Sequence, residues 1–118
     1  MNPAFDIDAA ANRISDANRA ENIRIERRRL EACSVSQTLA AAMRAADPAV
    51  RAVWGFGSTF EAGRPYRLDS DIDLAVEGGD LLSLLKIVES TAFSVDLVDV
   101  SNSDDEFGRI VRRFGTRL

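Results

Sequence analysis

Apolar and polar positions change their period along this chain. Residues 3–31 are rich in Ala, Arg and Glu, a mixture that favours helix. Pro3 suits a first helical turn, and Asp6 and Asp8 suit the positive end of the helix dipole. Ile7, Ile14, Ile23 and Ile25 do not keep one stripe, which predicts a helix only partly packed. Residues 35–46 form a cleaner amphipathic helix, with Val35, Leu39, Ala42, Met43 and Ala46 at helical spacing. Ser34 or Ser36 is placed to cap a break before it, and Asp47-Pro48 ends it.

The period then shortens. Val50 to Phe56 reads as a buried strand, and Gly57-Ser58 begins a turn able to carry a short helix. Residues 64–70 form a polar loop, and Asp71 to Val76 is a second strand stopped by Gly78-Gly79. Asp80 caps a helix over 81–90 that puts Leu81, Leu84, Leu85 and Val88 on one face. Phe93 to Val100 is a third strand. Ser103 and Glu106 form a capping box before a last helix, 104–114, whose apolar stripe is Phe107, Ile110, Val111 and Phe114. Helices alternating with short buried strands predict an α/β (α+β) domain with helices packed on a small sheet.

Composition narrows the chemistry. The chain of 118 residues has room for one compact domain. It contains no histidine, which excludes Ser-His-Asp and Cys-His catalysis within the chain, and its single cysteine, Cys33, excludes an internal disulfide or a zinc cluster. A metal site built from these residues uses oxygen ligands, which favours magnesium, manganese or calcium. The net charge of −4 argues against bulk nucleic-acid binding. Residues 1–46 carry seven Arg against six acids (+1), and residues 47–118 carry eight Lys and Arg against thirteen acids (−5). No run is long and apolar enough to span a membrane, and no signal layout opens the chain, so a cytoplasmic location is expected.

The candidate chemistry lies in the acidic part. On a strand, residues i and i+2 leave one face, so Asp71 and Asp73 present two carboxylates to one place while Ile72 and Leu74 face the core. Two such acids side by side are costly unless cations neutralise them. Asp96 and Asp99 leave opposite faces of the third strand. Gly57-Ser58 suits phosphate binding, since glycine admits close approach of an anion and serine adds a hydroxyl and an amide. Arg64 and Arg67, in the loop between, can grip phosphate or simply be solvated. The run Arg27-Arg28-Arg29 reads as a solvated helix face, Trp54 as core and Cys33 as a small apolar residue.

The order Gly57-Ser58, loop, Asp71-Ile72-Asp73, and a later Val95-Asp96-Leu97-Val98-Asp99 strand resembles the DNA polymerase β-type nucleotidyltransferase superfamily, over residues 35–114. More narrowly it is similar to the minimal nucleotidyltransferase (MNT) proteins, including the antitoxins of HEPN/MNT pairs. The match departs in two places. Twelve residues separate Ser58 from Asp71, where antitoxin-type members usually have fewer, and the arginine after the serine, Arg64, follows Gly63 instead of preceding a glycine. The resemblance implies a nucleotidyltransferase fold over residues 32–118, with residues 1–31 as an N-terminal helical extension. It picks Asp96 as the third acid, with Asp99 structural.

By that resemblance, Asp71, Asp73 and Asp96 are the catalytic and metal-binding residues, holding two Mg2+ ions with the bound nucleotide. Gly57, Ser58 and Arg64 bind its phosphates. The implied reaction moves a nucleoside monophosphate from an NTP, ATP above all, to a hydroxyl, releasing pyrophosphate. The chain is short for an enzyme with its own acceptor pocket, so the acceptor is expected on a partner protein of HEPN type. Two alternatives stand beside this. One is a transferase for a small molecule, working as a homo-oligomer through the N-terminal helix; the other is a non-catalytic protein that binds NTP or a partner.

Overall fold

The computed structural model describes residues 6–102 and 104–118. Pro3 and Ser103, assigned above to a helix start and a capping box, lie outside the described residues. The first element is a single helix, α1 (Ile7–Ala46), of 40 residues. Asp6 caps it by accepting from the Ala9 amide at 3.0 Å, and the Asp47 amide closes it on Met43 O at 3.0 Å. The break expected near residue 34 does not occur. The Ser36 hydroxyl is buried and donates to Ala32 O at 2.7 Å, while Thr38 donates to Ser34 O at 3.2 Å. Hydroxyls satisfied on the preceding turn let the helix continue.

The stripe reading of the isoleucines also changes. At about 100° per residue, Ile7, Ile14, Ile25, Ala32, Ser36, Leu39 and Met43 fall within about 40° of one line, and only Ile23 faces away. Packing on that line starts at Ile25, so α1 runs unbroken through positions 31 and 32, and its contact with the rest of the chain begins before them. The part before Ile25 projects. The radius of gyration is 19.7 Å, against about 13–14 Å for a compact chain of this length. Ion pairs three residues apart, Arg19–Asp16, Arg24–Glu21, Arg28–Glu31 and Arg29–Glu26, line the helix surface.

Four strands form one mixed sheet: β1 (Ala52–Phe56), β2 (Ile72–Glu77), β3 (Val95–Asp99) and β4 (Thr116–Arg117), in the order β3-β2-β1-β4. β1 runs antiparallel to β2 and to β4, and β2 runs parallel to β3. Between them lie α2 (Leu81–Val88) and α3 (Glu106–Phe114). A mixed α/β architecture, a small sheet flanked by helices with a long N-terminal helix, is therefore present as expected. Strand alternation divides the core. Val53, Ile72, Leu74, Val76 and Leu97 face α1 and α2, while Ala52, Trp54, Ala75 and Val98 face Val111 of α3.

Three further details differ from expectation. β4 was not anticipated; its two residues are too few to show a period, and Leu118 extends its pairing by donating to Val53 O at 2.9 Å. α3 is capped by Asp105, which accepts from the Gly108 amide at 2.9 Å. Its apolar stripe is mostly uncovered, because only Val111 is buried while Phe107, Ile110 and Phe114 are exposed.

Candidate active site

β2 opens at Ile72, so Asp71 sits one residue before the strand and Asp73 inside it. Asp73 is the register partner of Asp96 on β3 and of Phe56 on β1. Neighbouring strands lie about 4.8 Å apart, and Asp73 and Asp96 leave the sheet on the face that α3 only partly covers. Asp71, two residues before Asp73, joins them there.

The electrostatics reflect this grouping. Burial pushes the Asp73 carboxyl above the ordinary carboxylate range, and the charges of Asp96 and Asp71 push it the same way. Arg64 opposes them, and Glu61 adds a further raising charge. Asp71 and Asp96 are exposed, whereas Asp73 is half-buried. Asp73 is thus raised first by its burial and next by the charges of its two neighbours.

Gly57 explains how a carboxylate reaches the turn. Its φ is +75°, and a Cβ there would lie 2.3 Å from Asp73 Oδ2. The segment Gly57–Thr59 is a 3-10 turn in which the amides of Phe60 and Glu61 both close on Gly57 O, at 3.1 and 2.9 Å. Phe60 folds back over β1 into the space left by Gly55, where a Cβ would meet its ring at 2.2 Å. Glycine at 55 and 57 thus lets the turn lie flat against the strand end, with Ser58 half-exposed beside the acids.

On the α1 side of the turn opens a cavity of about 400 Å³, lined in part by Arg29, Ser58, Phe60, Glu61, Arg64 and Tyr66. Arg64 pairs with Glu61 at 3.0 Å. Arg29 pairs with Glu26 at 2.6 Å and donates to Thr59 O at 3.2 Å, and the Cys33 thiol donates to the same carbonyl at 3.5 Å. Arg28 stacks 3.6 Å above the Phe93 ring. Arg28 and Arg29 therefore tie α1 to the segment leading into β3 and to the Gly57–Thr59 turn, contrary to the solvated-face reading, and only Arg27 of that run is exposed. Thr59 Oγ1 and Tyr66 OH are buried without a hydrogen-bond partner.

All six sequence-predicted residues, Gly57, Ser58, Arg64, Asp71, Asp73 and Asp96, fall in one neighbourhood at this end of the sheet. Arg67 turns instead to Asp69, at 3.4 Å, and Asp99 caps a turn by accepting from the Ser101 amide at 2.9 Å. Sequence reasoning missed Glu61, Arg29 and Tyr66. The helical spacing of Ile25, Arg29 and Ala32 was the available signal for Arg29.

The three carboxylates carry the hard oxygen donors that a divalent cation such as magnesium takes, and Gly57 has no side chain to press on Asp73. Among the described residues no group of three or more His, Cys, Asp or Glu side chains is already gathered to hold one. The acids neighbour one another without closing on a common point, as mutual repulsion dictates. No described helix is long and apolar enough to cross a membrane. A scan against protein-family models and searches of curated proteins and of solved structures found no match.

Proposed function

We propose that the chain is a metal-dependent nucleotidyltransferase of the minimal type, moving a nucleoside monophosphate, AMP from ATP in the first instance, to a hydroxyl on a partner protein. The observation that carries this reading is the register pairing of Asp73 with Asp96, with Asp71 on the same face and the Gly57–Ser58 turn pressed against Asp73. Unpaired acids so placed are costly, and a site that works with bound cations recovers that cost.

Asp71, Asp73 and Asp96 would hold divalent cations, which supply neutralisation of the phosphate charge. Gly57 and Ser58 orient the terminal phosphates, and Arg64, beside both Ser58 and Asp73, adds a cation at the same end. The acceptor oxygen forms a bond to the α-phosphorus as the bond to the β-bridging oxygen breaks, and pyrophosphate leaves. Exposed Asp96 takes the acceptor's proton on a carboxylate oxygen. Positioning and charge compensation do most of this work, since phosphoryl transfer needs little covalent help.

An open site and exposed apolar surface beside it support a protein acceptor, and resemblance to the MNT antitoxins suggests a HEPN-type partner. The test is incubation with labelled ATP, magnesium and the co-purifying protein, followed by mass spectrometry. Adenylylation of a hydroxyl side chain on that protein supports the reading. Absence of any transfer, with nucleotide bound, refutes it.

A further inference from the structure

Ser58 stands between two carbonyls that are both held. On one side Gly57 O accepts the amides of Phe60 and Glu61, at 3.1 and 2.9 Å, which closes the turn on itself. On the other side Thr59 O accepts from α1, where Arg29 Nη1 donates at 3.2 Å and the Cys33 thiol at 3.5 Å. Thr59 is wholly buried, so its carbonyl has no solvent to turn to. A buried carbonyl that loses its donor is costly, and a thiol is a weak donor. The charged bond from Arg29 therefore decides where this end of the turn lies.

Arg29 is itself held. Its Nε and Nη2 donate to the two carboxylate oxygens of Glu26, at 2.9 and 2.6 Å, one helical turn earlier. Fork-to-fork pairing of this kind fixes the plane of the guanidinium. With that plane fixed, Nη1 is left for Thr59 O, and all three nitrogens of Arg29 are engaged within the chain. Arg64 differs. It meets Glu61 through Nε at 3.0 Å, and its side chain is 61% exposed against 30% for Arg29. Both arginines line one cavity with Ser58, and Arg64 is the one open to solvent.

We propose that Arg29 is a positioning residue for the Gly57–Ser58 turn, acting through Thr59 O, and that Glu26 orients Arg29 for this role. The role rests on the transferase reading, in which Ser58 holds the terminal phosphates. Gly57 lies against Asp73 at one end of the turn and Arg29 holds Thr59 at the other, so Ser58 is presented at a set place beside the acids. A residue that places Ser58 supports the bound nucleotide and the transition state alike. Its loss raises KM more than it lowers kcat.

Steady-state transfer to the co-purifying protein and amide hydrogen exchange test this on the full chain. The variants are Arg29→Ala, Arg29→Lys and Glu26→Gln, with Arg27→Ala, an exposed arginine two residues away, as the control. Circular dichroism establishes that each is folded. Arg29→Ala is expected to raise the KM for ATP about tenfold, the worth of one charge-assisted hydrogen bond, with kcat held within about twofold. Arg29→Lys is expected to recover most of that rise, since an ammonium also donates to the carbonyl, and Glu26→Gln to raise KM about threefold. The Phe60 and Glu61 amides are expected to exchange faster in Arg29→Ala and not in Arg27→Ala. An unchanged KM in Arg29→Ala overturns the proposal, as does a fall in kcat at constant KM or an equal effect of Arg27→Ala. Faster exchange without a change in KM also overturns it, because the tie is then structural alone. If Arg29→Ala does not fold, Glu26→Gln decides, and an unchanged KM there overturns the role. A wild type that transfers nothing overturns the transferase reading and this role with it, whereas an active wild type beside an Arg29→Ala variant of equal KM overturns this role alone.

Discussion

Asp73 and Asp96 are partners across two parallel strands, and burial first, then the charge of Asp96, raises the pKa of the half-buried Asp73. Asp73→Asn removes the Asp73 charge at nearly constant shape. Nucleotide transfer is expected to disappear, while the melting temperature of the metal-free protein rises by about 2–4 °C, roughly 0.5–1 kcal/mol after solvent screening. Calorimetry beside the transfer assay checks both. A lower melting temperature would show that the carboxylate is structural.

The pH dependence follows from the same shift. The folded-state pKa of Asp73 is raised, so its contribution to stability is fully present below the ordinary carboxylate value and is lost as pH rises through the folded value. Asp47 runs the other way. Accepting the Asp80 amide at 2.8 Å and the Ala49 amide at 3.0 Å holds its pKa down, so its contribution is lost as the pH falls. The melting difference between Asp73→Asn and wild type is therefore expected to grow from acid towards neutral pH, and magnesium is expected to shrink it. A difference independent of pH would contradict the assignment.

Gly57→Ala forces a side chain into the positive-φ turn and onto Asp73. We expect a loss of about 1–3 kcal/mol from backbone strain, together with loss of transfer, because the turn and the acid are pushed apart. A urea midpoint unchanged from wild type would show that the turn relaxes freely.

Truncation separates the two parts of α1. Removing residues 1–20 takes away no described residue of the core or packed against it, and the melting temperature is expected to move by no more than about 2 °C. Removing residues 1–30 also deletes Ile25, the Arg28–Phe93 stack and the Arg29 bond to Thr59 O. That loss is expected to lower the melting temperature by roughly 8–12 °C, for about 2–3 kcal/mol. Equal effects of the two deletions would place the projecting part in the core.

Much of this fold was legible from local pattern. Short apolar runs marked β1, β2 and β3, and Leu84 and Val88 on one helical face marked α2. The helix break was misread because Ser34 and Ser36 carry the chemistry of a cap, and only the structure shows their turn satisfied from within. The α3 stripe was legible as a stripe, but sequence cannot say whether a face is covered. In the site, Asp71 and Asp73 were visible because their i, i+2 spacing on a strand groups them, and Asp96 only through the family resemblance. Glu61 and Tyr66 were not, since what gathers them is the packing of a distant helix on a loop, which leaves no fixed spacing, and Arg29 left only its helical spacing from Ile25 and Ala32.

β3 is the last strand of the sheet, and it alternates Val95, Asp96, Leu97, Val98 and Asp99. An open strand edge invites other chains to add to it, and charges along it discourage them. Asp96 and Asp99 therefore guard the molecule's solubility whatever else they do. The acid proposed above to take the acceptor's proton also charges this open edge, so its loss would be felt as precipitation during expression as well as in any activity.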